Sequence, residues 1–136
     1  MECPTCASSM VAFGVPERYR DHLPRGSPVA AICPTCLTLA VPDGVVGEVE
    51  VPPEPAFDRV GQAFPTDEAA AVPMAIAIGL LDSLALNRRA IEELLEAVEA
   101  EGTDPLLVLD RLDAQGGTTP AIDLERRRHQ VRQLLG

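Results

Sequence analysis

The chain of 136 residues is long enough for one domain, or for a domain with a small module, and 46% of it is apolar, yet only 3% is aromatic and Trp is absent. A core must therefore come from Ala, Val, Leu and Ile, the residues of closely packed helices. All eleven cations are Arg against 21 carboxylates, and the net charge of -10 excludes sequence-independent binding to phosphate backbones over the whole surface. An acidic surface without Lys suits a high-salt cytoplasm, and a GC-rich genome would favour the same Arg usage.

The predicted elements, in chain order, describe an α+β protein. Only two residues precede Cys3, so no secretory leader is expected and the protein reads as cytoplasmic. Residues 1–50 read as a small β module. Apolar alternation at Val11, Phe13 and Val15, and again around Val29 and Ala31, predicts short strands. The polar, Pro-rich "PERYRDHLPRGSP" between them reads as an exposed connection with room for one helical turn, and "PDG" at 42–44 is turn chemistry. Residues 51–65, opening with "VPPEPAF", read as a stiff linker.

Residues 66–136 switch to helical periodicity. Thr66, Asp67 and Glu68 predict a helix start, with the acids on the positive end of the dipole. The apolar run Ala69–Leu81 is thirteen residues long and interrupted by Pro73 and Gly79. That is short of the ~20 residues a membrane span needs, so it predicts the central helix of a bundle and no membrane partner. Pro73 is expected either to kink this helix or to mark its first turn. Asn87 is expected to cap a second helix whose Ile91, Leu94, Leu95 and Val98 fall on one face, with Arg88–Glu92 and Arg89–Glu93 as pairs on the wet side. Gly102 ends it, Thr103-Asp104-Pro105 starts a third, and Thr119-Pro120 after "GGTTP" opens the last, to about Leu135.

The motif with chemistry is "CPTC", present at Cys3–Cys6 and again at Cys33–Cys36 with twenty-six residues between the pairs. Two residues between cysteines make a tight turn that brings both sulfurs to one side, and two such turns complete a tetrahedron of thiolates. With all four positions filled by protein, the ion has no open site and is structural. A redox dithiol is the first competitor, but the first pair has no strand before it and the second no clear helix after it. Structural disulfides are the second, and a cytoplasm disfavours them. Zinc is the preferred ion; sulfur tetrahedra also take iron, which the scarcity of aromatic residues near the pairs makes the lesser choice.

The two "CPTC" pairs resemble the zinc-ribbon knuckles of small CPxC zinc-finger proteins of haloarchaea. The stretches "AIGLLDSLALNRRAIEELLEAVEAEGTDPLLVLDRL" and "IDLERRRHQVRQLL" resemble an uncharacterised haloarchaeal family of about this length. The resemblance implies one role only, metal ligation by Cys3, Cys6, Cys33 and Cys36. Many such knuckles carry Gly after the second cysteine to take a left-handed turn, whereas this chain has Ala7 and Leu37 there.

Arg126, Arg127, Arg128 and Arg132 gather near the C-terminus. They read either as a docking stripe for an acidic partner or nucleic acid, or as cations opposing a helix dipole beside an acidic neighbour; the second reading is the plainer. His22 and His129 are spare if four cysteines hold the ion, and Ser83 follows Asp82 inside a helix with no catalytic constellation around it. The sequence therefore points to a non-enzymatic zinc-ribbon protein, an adaptor or regulator with an unknown protein partner and a helical half open to self-association. A nucleic-acid-binding regulator and a thiol-redox protein are the alternatives.

Overall fold

The computed structural model describes residues 2–23, 26–41, 51–114 and 124–135. Strands β1 (Val11–Gly14), β2 (Val29–Ile32) and β3 (Leu39–Ala40) form one antiparallel sheet in that order. Val11 pairs with Ile32 and Phe13 with Ala30 across β1–β2, and Ile32 with Leu39 across β2–β3. In β1 the expected alternation is present, with Val11 and Phe13 buried and Gly14 exposed.

β2 is buried along its whole length because it is covered on both faces. Ala30 and Ile32 join the main core beneath the helices, while Ala31 packs with Met10, Cys3, Cys33 and Cys36 in a second, smaller cluster. The central strand thus carries the cysteine site on one face and the helices on the other. Between β1 and β2, a 3-10 helix over Glu17–His22 supplies the expected helical turn and buries Tyr19.

Helices α1 (Glu68–Leu80), α2 (Leu84–Ala100), α3 (Pro105–Ala114) and α4 (Leu124–Leu135) make up the rest. Asp67 caps α1 by accepting from the Ala69 amide at 3.2 Å, and every residue from Ala70 to Ile78 is buried, as a central helix requires. Pro73 lies inside this helix and not in its first turn. Leu84 opens α2 three residues earlier than Asn87, which sits at a kink with φ -117°. The Asn87 amide acts as a donor, to the carbonyls of Ser83 at 3.0 Å and Leu80 at 3.5 Å. Those carbonyls stand where the ladder breaks between α1 and α2, so the side chain repairs the break and does not cap a start.

Ile91, Leu94, Leu95 and Val98 form the buried face of α2, as their spacing predicts. Neither Arg88–Glu92 nor Arg89–Glu93 closes as an ion pair among the described residues; Glu93 instead faces His22 at 3.8 Å. Gly102, at φ +84°, ends α2, and Asp104 caps α3 through the amides of Leu106 and Leu107 at 3.0 and 3.3 Å. Pro105 opens α3, where a missing N–H matters least. The turn expected at 42–44 and the helix start expected at Thr119-Pro120 lie outside the described residues.

The segment 51–65 carries core residues as well as prolines. Phe57, Val60 and Phe64 are all buried, and Phe57 lies tilted against Phe13 of β1 and stacked on Phe64, with ring centroids 5.5 and 5.9 Å away. All three phenylalanines of the chain meet there, so one continuous core runs from the sheet through this segment into the helices. By length and composition Glu68–Ala100 could cross a membrane, but 56% of its most apolar window is buried inside the protein, the mark of a core helix.

Candidate metal centre

Each CPTC turn folds the same way. In the first, the Cys3 amide donates to the Ser8 carbonyl at 2.8 Å and the Ala7 amide to the Cys3 carbonyl at 2.9 Å; in the second, Cys33 pairs with Thr38 and Leu37 with Cys33 at 2.9 Å each. The chain can close so tightly only by passing through the left-handed region, and both Ala7 and Leu37 do so at φ 63°. These are the two places where the resembling knuckles carry Gly. A side chain there is strained by about 1–2 kcal/mol, which the knuckle contacts must offset.

The turns aim their amides at sulfur. The Thr5 amide lies 3.4 Å from Cys3 Sγ, and the Thr35 and Cys36 amides each lie 3.4 Å from Cys33 Sγ. Hydroxyls pair with the other two sulfurs: the Cys6 thiol donates to Ser8 Oγ at 3.4 Å, and Cys36 Sγ lies 3.0 Å from Thr38 Oγ1. The amide donors stabilise thiolate charge, and the hydroxyls, which can turn to donate once a thiol is ionised, help to orient the sulfurs. The reading by cysteine spacing missed these two hydroxyls. The signal was present, because "CPTCAS" and "CPTCLT" both place a hydroxyl two residues past the second cysteine.

The sheet brings the two turns together. β1 follows the first and β2 leads into the second, so their antiparallel register sets one above the other. All four Sγ atoms lie within 4.8 Å of one another, with Cys3–Cys36 at 3.5 Å, Cys6–Cys33 at 3.4 Å and Cys6–Cys36 at 3.7 Å. An ion held tetrahedrally at about 2.3 Å from four sulfurs separates them by about 3.8 Å, so the set can hold a metal ion. All four are free thiols. Cys3, Cys33 and Cys36 are buried, at 3%, 0% and 5% exposure, and only Cys6 faces solvent.

The protonation preferences of the thiols are uneven. Burial pushes Cys33 up to about 12, against the opposing pull of the Cys36 and Thr35 amides. The Ser8 side chain and amide bring Cys6 down to about 6. Burial raises Cys3 too, but the amides of Cys6 and Thr5 and the neighbouring thiols together leave it below its ordinary value. Four thiolates at this spacing repel one another, and a divalent cation among them removes the obstacle.

The remaining candidates fall elsewhere. His22 faces α2 and His129 is exposed on α4, so neither joins the cysteine cluster. Ser83 sits at the α1–α2 junction, its carbonyl bonded to Asn87. Arg128 forks onto α3, with Nε 3.0 Å from Asp110 and Nη1 3.0 Å from Asp113, and Arg132 reaches Asp110 at 4.0 Å. The acidic neighbour of the Arg-rich helix is therefore the aspartate face of α3. Arg127 donates to the Asp82 carbonyl at 3.3 Å and to Gln130 at 3.0 Å.

No curated protein and no solved structure matches the chain. A family model described as "Family of unknown function (DUF6276)" matches residues 2–135, and the chain belongs to that family.

Proposed function

We propose that the chain is a non-catalytic zinc-ribbon protein of haloarchaeal type that works in the cytoplasm as an adaptor or regulator through protein–protein contacts. One structural Zn2+ is held by Cys3, Cys6, Cys33 and Cys36. The observation that carries the reading is the convergence of four sulfurs within 4.8 Å, three of them buried. Four thiolates complete the tetrahedral shell, so no position remains for water or substrate, and the ion serves as a staple between the two turns. Sulfurs from different pairs lie as close as 3.4 Å, which supports one shared ion over two independent dithiols.

Two further features bear on partners. Arg128 is committed to Asp110 and Asp113, which weighs against a continuous cationic face for nucleic acid. α1 spends its apolar surface inside the chain, so self-association finds no support in that helix. The test is metal content per chain, on protein purified in high salt without added metal, with free thiols counted before and after chelation. One zinc, and four thiols appearing on chelation, is the expected result. No metal, with the thiols oxidised in two pairs, overturns the reading in favour of redox chemistry, and iron would reopen electron transfer.

A further inference from the structure

Away from the cysteines, the start of α2 and the stretch of α4 from Arg127 to Leu134 line an open groove of about 310 Å3. Leu84, Ala85 and Leu134 supply its apolar lining, and Arg88, Arg127, Gln130 and Gln133 its polar groups. No Asp or Glu lines it among the described residues, in a chain that carries 21 of them.

Among the described residues the two guanidinium groups lack counter-ions. Arg88 makes no ion pair or hydrogen bond among the described residues. Arg127 is held in place by neutral acceptors, the Asp82 carbonyl and Gln130 Oε1, which position it without cancelling its charge. With Gln130 Oε1 taken by Arg127, the Gln130 amide N–H groups remain to donate outward. Like charges facing one groove are relieved by an anion, and Arg presents the planar fork that matches a carboxylate.

We propose that this groove between α2 and α4 is the docking site for an acidic segment of a partner protein, with carboxylates on Arg88 and Arg127 and one apolar side chain seated on Leu84 and Leu134. The inference rests on the adaptor reading and specifies the chemistry of the partner. An apolar floor with a polar rim, Arg included, is the anatomy of a protein contact. Nucleic acid needs a run of phosphate contacts, and two guanidinium groups on a chain of net charge -10 do not provide one. At molar salt, as in the cytoplasm proposed above, charges beyond about 3 Å are screened, so only carboxylates in direct contact with the two arginines count and the net charge does not.

The test uses the full metal-loaded chain against an array of hexapeptides that combine Asp or Glu with Leu, Ile or Phe, beside the same peptides with Asn and Gln replacing the acids. Acidic members are expected to bind and to shift the Arg88 and Arg127 Nε–Hε resonances. Arg88→Glu is expected to weaken them roughly tenfold or more, while Arg111→Glu on α3 has no effect. Arg88 has no partner among the described residues, so its replacement tests the groove without breaking a contact they make. Equal binding by the amide peptides, insensitivity to Arg88→Glu, or no binding by any acidic member overturns the proposal. So does octanoate binding as tightly as the peptides, which would make the site one for small organic acids, or self-association abolished by Arg88→Glu, which would make the occupant a second copy. Metal content is read on the same sample. A chain without metal defeats the zinc-ribbon reading, whereas a loaded chain whose groove ignores acidic peptides defeats this inference alone.

Discussion

In both cysteine turns an amide points at the first sulfur from 3.4 Å and the residue after the second cysteine sits at φ 63°, yet Ala7 is exposed where Leu37 is buried in the main core. Cys6 likewise faces solvent, and its counterpart Cys36 does not. The second turn is also pinned from behind. Leu39, which follows it, packs so close to Gly79 of α1 that a Cβ there would lie 2.3 Å from the Leu39 Cβ. The first turn has the isolated Glu2–Ser9 bridge and a bond from Arg59 to the Ser9 carbonyl at 3.2 Å. Equal local geometry in unequal housing shows that the CPTC stretch itself sets the turn. The housing sets how far each turn would depend on an ion held between them.

Removing the metal should expose the difference most strongly. Structural zinc contributes on the order of 10 kcal/mol in isolated finger peptides, and here the shared core keeps part of the fold when the ion leaves. Hydrogen exchange after chelation should therefore lose protection first at the amides of Cys3 and Ala7, then at those of Cys33 and Leu37, and least in α1 and α2. Simultaneous loss in both turns would break the comparison.

Acid should weaken the metal site by the same route. Binding needs four thiolates, so protons compete with the ion and affinity falls as pH drops. At neutral pH in the metal-free chain Cys6 is already a thiolate while Cys33 holds its proton. Below about pH 6 Cys6 takes a proton as well, and the fall should steepen. Competition with a chromogenic chelator between about pH 5 and 8 checks the change of slope.

Substitutions to Gly should act with opposite signs in the two turns. Leu37→Gly relieves left-handed strain but removes a buried side chain, for a net loss of about 2–3 kcal/mol. Gly79→Ala forces Leu39 and β3 away from α1, at a cost of about 1–3 kcal/mol. Ala7→Gly relieves the same strain with no core to lose and should stabilise by up to about 1 kcal/mol. Urea titrations of the metal-loaded proteins measure all three, and a destabilised Ala7→Gly would mean that the first turn is set by its side chain and not by its backbone.

Much of this was legible because it is written locally. Two C-x2-C pairs announce a cluster of four sulfurs, Asp104-Pro105 announces a helix start, and Ile91, Leu94, Leu95 and Val98 announce a buried face; all follow from spacing alone. What stayed hidden depends on contacts between distant segments. Phe57 and Phe64 lie among prolines and so read as linker, but Phe13 gives them a core to join. Asn87 reads as a cap, yet its donors serve carbonyls freed upstream, and only the packing of α2 on α1 places it there. Arg128 finds aspartates on α3 because those helices pack together, which periodicity does not encode.

The central claim is that one ion binds all four cysteines and nothing else. X-ray absorption at the metal edge of the purified chain tests it directly. A single shell of four sulfurs at about 2.3 Å is the expected result. A shell mixing sulfur with nitrogen or oxygen, or one of fewer than four sulfurs, would contradict it and return an open coordination position to the site.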